Sequence, residues 1–166
     1  MFRDMLENPR VPPPSLITKT LLLLTSRSEN VNNTILPALD DGKVVVSDRY
    51  IDSTVVYQGA EGLDVGTLRT LNSFATDNLV PDLTILLQVE PDIAKARILS
   101  SGAPDEMEAS MMSRISELND RYVNEIRHTT VLIDANQPVT QVLETIREVL
   151  VSALADHVLG DVMDSQ

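Results

Sequence analysis

Apolar positions along the chain fall into two patterns, long stretches at helical spacing and short runs fit for buried strands. From about Leu16 toward Leu39 the spacing predicts one helix, entered after a rigid break at Pro12 to Pro14, with Ser15 placed as its N-cap. Pro37 should kink or end it, because proline lacks the N–H that continues the hydrogen-bond ladder. Asp41-Gly42 then makes a turn. Lys43 to Ser47, Leu83 to Val89 (LTILLQV) and Val131 to Ile133 are short apolar runs bounded by polar residues, which suits strands buried on both faces. Helical stretches separate the three. A helix follows Asp48 to Ser53. Met107, Met111, Ile115, Leu118, Tyr122 and Ile126 keep a helical period, with the methionines as core filler. Val139, Val142, Leu143, Ile146, Val149, Leu150, Ala153 and Leu154 define the clearest amphipathic helix, with Pro138 as its first residue. Strands alternating with helices predict an α/β fold, with all three strands parallel in one sheet and helices on both faces.

Length and composition narrow this picture. With 166 residues, 43% of them hydrophobic, the chain fits one domain, spanning 1–158, followed by an acidic tail over 159–166. The longest apolar run, Leu21 to Leu24, is far short of the roughly 20 residues of a membrane span, and Met1 to Arg10 does not read as a secretory signal. No membrane role and a cytoplasmic location are expected. There is no cysteine, and His128 and His157 lack ligand spacing, so no metal site is read from side-chain pattern. The net charge of −12 opposes binding to a nucleic-acid polymer, whose affinity comes mainly from neutralised phosphates. A small phosphorylated ligand is still compatible, since two or three well-placed arginines suffice locally.

Ligands of open α/β sheets bind beyond the carboxyl ends of the strands. There, after Val44-Val45-Val46, stands DRYIDSTVVYQG, Asp48 to Gly59; farther on comes PDLTILLQVEP, Pro81 to Pro91. Taken alone, Asp48-Arg49 could be a solvated pair at a strand end. The two stretches in register resemble the thymidylate kinase signature and that family's next strand. The resemblance extends through Arg27, Ile35 to Lys43, Arg121-Tyr122 and Ile133-Asp134-Ala135, and covers roughly residues 15 to 155. It implies the P-loop kinase fold and Mg-dependent transfer of the ATP γ-phosphate to dTMP or a similar pyrimidine deoxynucleotide. Arg49 would then clamp the monophosphate, a task suited to a planar guanidinium. Asp48 would hold the metal-nucleotide environment or orient Arg49. Arg27 would contact the pyrimidine. Gln58, with both a donor and an acceptor, would read the N3–H and adjacent carbonyl of thymine. Tyr57 would pack on the sugar, and Ser53 and Thr54 would line the pocket. Helix capping is the ordinary alternative for Ser53 and Thr54, and an exposed helix position for Arg27.

Three departures from the family pattern bear on activity. No G-x-x-x-x-G-K-[ST] occurs, so the P-loop and the first, central strand of the three-layer sheet are expected to be absent. The stretch matching the lid, Ser100 to Glu108, has neither arginine nor lysine, and Glu106 stands where an arginine is expected. Leu23 replaces the aromatic residue that stacks on the base. Retained nucleotide binding with impaired catalysis follows as the expectation, and a non-catalytic nucleotide-binding or scaffold subunit is the alternative. The family also implies a homodimer, or association with another chain, through the Leu16 to Leu39 helix, with Leu21, Leu24, Val31 and Ile35 as its apolar surface.

Overall fold

Ser15 starts the first helix as its position predicts: its hydroxyl accepts from the Thr18 N–H at 3.2 Å, satisfying one of the donors that a helix start leaves open. The computed structural model describes residues 14–103, 106–125 and 129–164, excepting the side chains of 101, 106–108, 110–111 and 156–164. Two compact units emerge, one of residues up to Val80 together with Arg121–Glu125, the other of Pro81–Asp120 and the chain from Ile126 onward.

In the first unit, α1 (Leu16–Asn30) runs into a π-helical turn (Val31–Ile35) and then a short α2 (Leu36–Asp40). Pro37 therefore does not end the helix. The Leu36 N–H reaches back five residues to the Val31 carbonyl, and this wider turn accommodates a proline ring that would collide with the carbonyl four residues earlier. Gly42 closes the element with φ +70°. Its N–H donates to the Leu39 carbonyl at 2.8 Å and that of Lys43 to the Ala38 carbonyl at 3.0 Å, a left-handed stop that glycine makes without steric cost.

Of the residues expected to form an apolar association surface on this helix, Leu24, Val31 and Ile35 are 5%, 0% and 7% exposed and belong to the core; Leu21 stays at the surface. The seven- and four-residue spacing that marks an association face marks an inward face equally well. The third expected strand is also corrected. Lys43–Ser47 joins no sheet among the described residues, and Val44 and Val46 are 69% and 88% exposed. A strand exists only through hydrogen bonds to a neighbour, and no neighbour to this run occurs among the described residues.

Helix α3 (Ile51–Ala60) is the centre of this unit, buried at Ile51, Thr54, Val55, Val56, Gln58 and Gly59 and flanked by α1 and α4. Polar groups on a helix buried to this degree, Thr54 and Gln58 among them, call for hydrogen-bond partners. Asp64 caps α4 (Val65–Ala75), accepting from the Thr67 N–H at 2.7 Å. Along α4, Leu68, Asn72 and Thr76 recur every four residues and are all buried.

The second unit holds the sheet, in which β1 (Thr84–Gln88) and β2 (Thr130–Asp134) pair in parallel, Thr84 opposite Thr130 through Gln88 opposite Asp134. Two of the three expected strands are therefore present with the expected orientation, joined through α5 (Pro91–Ser101) and α6 (Glu106–Asn124) as a parallel pair requires. The final residues of α6 belong to the first unit. Helix α7 (Val139–Asp164) packs on β2. Pro138 stands one position before it, its carbonyl accepting from the Val142 N–H at 3.1 Å. Residues 159–164, read above as tail, continue α7; Pro12, His128, Ile126 and residues 165–166 lie outside the described residues, as do the side chains of Glu106, Met107, Met111 and His157. The result is a mostly helical α/β protein with a small parallel sheet.

The hydrogen bonds from Thr67 hold the Asp64 carboxyl below the ordinary carboxylate value. A lowered folded pKa stabilises above the unfolded value of ~3.9, and that stabilisation is lost as pH falls through the folded value. Chemical denaturation of Asp64→Ala should show a deficit against the unsubstituted chain at pH 6 that shrinks toward pH 2; a deficit independent of pH would contradict the assignment.

Candidate functional site

The chain turns sharply between Lys43–Ser47 and α3, and the turn residue is Arg49, with φ 65°. Among the described residues the other non-glycine positions with positive φ are Asp77 and Asn78, types that tolerate the left-handed region; an arginine there costs on the order of 1–3 kcal/mol and persists only where its surroundings fix it. They do so on both sides. The Ser47 hydroxyl donates to the Arg49 carbonyl at 3.0 Å, and the Tyr50 hydroxyl donates to the Leu79 carbonyl at 3.2 Å.

Side chains from α3 and the end of α6 meet at this turn. The Arg49 guanidinium lies 5.2 Å from the Tyr57 ring centroid, within range of a cation–π attraction. Tyr57 meets Tyr122 edge to face at 6.2 Å, and the Tyr122 and Ser53 hydroxyls share a hydrogen bond of 2.9 Å. Ser53 and Tyr57 are four residues apart, hence one above the other on α3. Burial alone would lower the Arg49 pKa, but Tyr57, Tyr122 and Asp48 together raise it, so its charge is secure. Burial raises the Tyr122 hydroxyl, against the lowering effect of its bond to Ser53. Asp48 is exposed beside Arg49.

The adjacent row of α3 carries Thr54 and Gln58, and here the partner is α1. Arg27 donates through Nη1 to the Thr54 hydroxyl at 2.7 Å and to Asn72 Oδ1, and through Nη2 to the Tyr50 backbone carbonyl at 2.9 Å. It also lies 5.6 Å from the Tyr50 ring centroid. Burial lowers its pKa, with Tyr50 and Asp52 opposing; a guanidinium stays protonated regardless. Gln58 is 3% exposed. Its amide can both donate and accept, which suits a ligand edge with the opposite pattern. Leu23 precedes Arg27 by four residues and is half-buried on the same helical face.

The predicted residues therefore assemble into two neighbouring clusters on one helix: Arg49, Ser53 and Tyr57 with Tyr122, and Arg27 and Thr54 with Asn72. Asn72 was not anticipated from sequence. The signal was there, a carboxamide four residues after Leu68 on the inward face of an amphipathic helix, where a polar side chain must find a partner. Of the lid stretch Ser100–Glu108, residues 104–105 and the side chains of 106–108 lie outside the described residues. A separate cavity of about 480 Å³ at the carboxyl ends of β1 and β2, lined by Gln88, Glu90, Asn119, Asp134 and Asn136 among others, contains none of the predicted residues. We place the candidate site on α3, because there charge, hydrogen-bonding capacity and backbone strain coincide.

Comparison with known proteins gives a consistent picture. The family model described as thymidylate kinase matches residues 1–146. The chain is 37% identical over 144 residues to a thymidylate kinase of Leuconostoc citreum (strain KM20), covering 82% of this chain and 67% of the relative. It is 35% identical over 152 residues to one of Lactobacillus acidophilus (strain ATCC 700396 / NCK56 / N2 / NCFM), covering 87% and 70%. A thymidylate kinase of Anoxybacillus flavithermus (strain DSM 21510 / WK1) is 37% identical over 139 residues, covering 78% and 65%. The chain thus spans about two thirds of the length of these relatives.

The chain has three tyrosines and no tryptophan, so tyrosine absorbance reports on this site. Tyr50 and Tyr122 are both raised by burial; stability from their neutral forms is full below the unfolded value of ~10 and is lost as pH rises through the folded values. Alkaline titration of the native chain should lag that of the urea-unfolded chain, and Tyr122→Phe should reduce the lag. Superimposable curves would refute the burial of these hydroxyls.

Proposed function

The chain belongs to the thymidylate kinase family, and on that footing we propose that the α3 site binds dTMP or a closely similar pyrimidine deoxynucleoside monophosphate. The observation that carries this reading is the Arg49 turn. A strained arginine, kept charged and lying over the Tyr57 ring, is suited to grip a phosphate with a sugar packed against Tyr57. The amide of Gln58 supports recognition of the thymine edge, and Ser53 and Thr54 flank it from the same helix. Arg27 keeps its Nε–H and one Nη2 hydrogen beyond the bonds described above, enough to meet a base carbonyl.

The family reaction is transfer of the ATP γ-phosphate to dTMP. Mg²⁺ commonly takes one or two protein carboxylates and fills its remaining positions with water and phosphate oxygens; exposed Asp48 beside Arg49 fits that demand. The ion would neutralise phosphate charge. For ATP itself the fit is poor. No basic residue occurs from Ser100 to Glu108, whereas phosphoryl transfer depends on positive charge around the moving group. In this reading the 166-residue chain binds the acceptor and is impaired in transfer. The sheet of β1 and β2 is read as part of the family's three-layer fold, and cytoplasmic location follows the family. Self-association would draw on Ile17 and Leu21, which stay exposed on α1.

Calorimetric titration should show binding of dTMP in preference to Mg-ATP. Arg49→Ala should weaken dTMP by about 10- to 100-fold, the worth of a hydrogen-bonded charge, with little change for thymidine. A coupled assay should register little dTDP. No dTMP binding by the folded chain would remove the reading, and robust turnover would remove the impairment.

A further inference from the structure

We propose that Asn72 is a positioning residue for the phosphate grip, acting through Arg27 and the Tyr50 carbonyl on the conformation of Arg49. The inference rests on the reading of Arg49 as a phosphate ligand. Asn72 projects from α4 and is 3% exposed. Its Nδ2 donates to the Leu68 carbonyl at 2.9 Å, and its Oδ1 accepts from Arg27 Nη1. A carbonyl can only accept and a guanidinium can only donate, so the orientation of the carboxamide is dictated by its partners. The amide is thereby a fixed acceptor for Arg27.

Arg27 is held from two directions, by Asn72 on α4 and by Thr54 on α3, and its planar group transmits that constraint to the third bond, 2.9 Å to the Tyr50 carbonyl. Tyr50 directly follows Arg49. A left-handed arginine relaxes unless the peptides around it are restrained, and the Tyr50 carbonyl is the atom of the following residue that Arg27 restrains. Removing Asn72 leaves Arg27 with Thr54 as its only side-chain acceptor among the described residues. The Tyr50 carbonyl then loses a fixed donor, and Arg49 samples turns that do not present its guanidinium to a phosphate.

This predicts a loss specific to the phosphate. Thymidine and dTMP share base and sugar and differ in the phosphate alone, so the ratio of their affinities isolates the Arg49 contribution. In titrations of the full chain followed by tyrosine fluorescence, Asn72→Ala should lower the dTMP-to-thymidine preference by at least about fivefold. Asn72→Asp keeps an acceptor oxygen for Arg27 but sets its other oxygen against the Leu68 carbonyl, so it should restore the preference only in part. Thermal melting by circular dichroism checks the fold, and if Asn72→Ala does not fold, Asn72→Ser should shift the ratio in the same direction. An unchanged ratio in the folded Ala or Ser variant, with both ligands weakened equally or not at all, would overturn the proposal and leave Asn72 a packing residue. Absence of any dTMP preference in the unsubstituted chain would instead overturn the underlying reading, and this inference with it.

Discussion

The first unit of this protein depends on one half-buried cation. Arg27 reaches from α1 to a hydroxyl on α3, a carboxamide on α4 and the backbone carbonyl that opens α3. These are the three helices that form the unit's core. A charge partly withdrawn from water is tolerated when its donors are met, and a hydrogen bond to a charged group contributes about 1.5–3 kcal/mol. Thr54, Asn72 and the Tyr50 carbonyl are thus as dependent on Arg27 as it is on them. The apolar contacts of Leu24, Ile51, Val55, Val56 and Leu68 supply cohesion, but they are non-directional and would permit other helix rotations. The arginine selects one.

Local charge and total charge point in opposite directions in this molecule. A net charge of −12 repels anions at long range, yet the field near Arg49 is set by neighbours within a few ångströms, and salt screens charges beyond roughly 8–10 Å. The Tyr57 hydroxyl, through charge interaction and a hydrogen bond, together with the Tyr122 hydroxyl and the Asp48 carboxylate, raises the Arg49 pKa against burial, which lowers it. The guanidinium is consequently charged and not consumed by a carboxylate partner among the described residues, which is the condition a phosphate requires.

Much of this was legible in the chain. The helix start at Ser15, the glycine stop at Gly42 and the two strands of the sheet follow from local chemistry that tertiary structure did not override. The motif from Asp48 to Gly59 named most of the residues that cluster on α3. What was not legible depended on partners distant in sequence. Val44-Val45-Val46 has the composition of a buried strand, but composition does not say whether a neighbour is present to receive its hydrogen bonds. Leu24, Val31 and Ile35 carry the same spacing whether they face a core or a second subunit. Asn72 looked like any polar helix residue until Arg27, 45 positions away, was placed against it. The left-handed turn at Arg49 has no sequence signal, because arginine does not favour it.

On the reading proposed above, the Arg49 turn, fixed by its surroundings, is a phosphate ligand on a pyrimidine nucleotide site. A crystal structure of the chain grown with dTMP tests it most directly. The account predicts the phosphate within hydrogen-bonding distance of the Arg49 guanidinium, about 2.7–2.9 Å for a charge-assisted bond, with the thymine edge on the Gln58 amide and Arg49 still in the left-handed region. A phosphate bound away from Arg49, or an Arg49 relaxed to negative φ with the nucleotide in place, would contradict it.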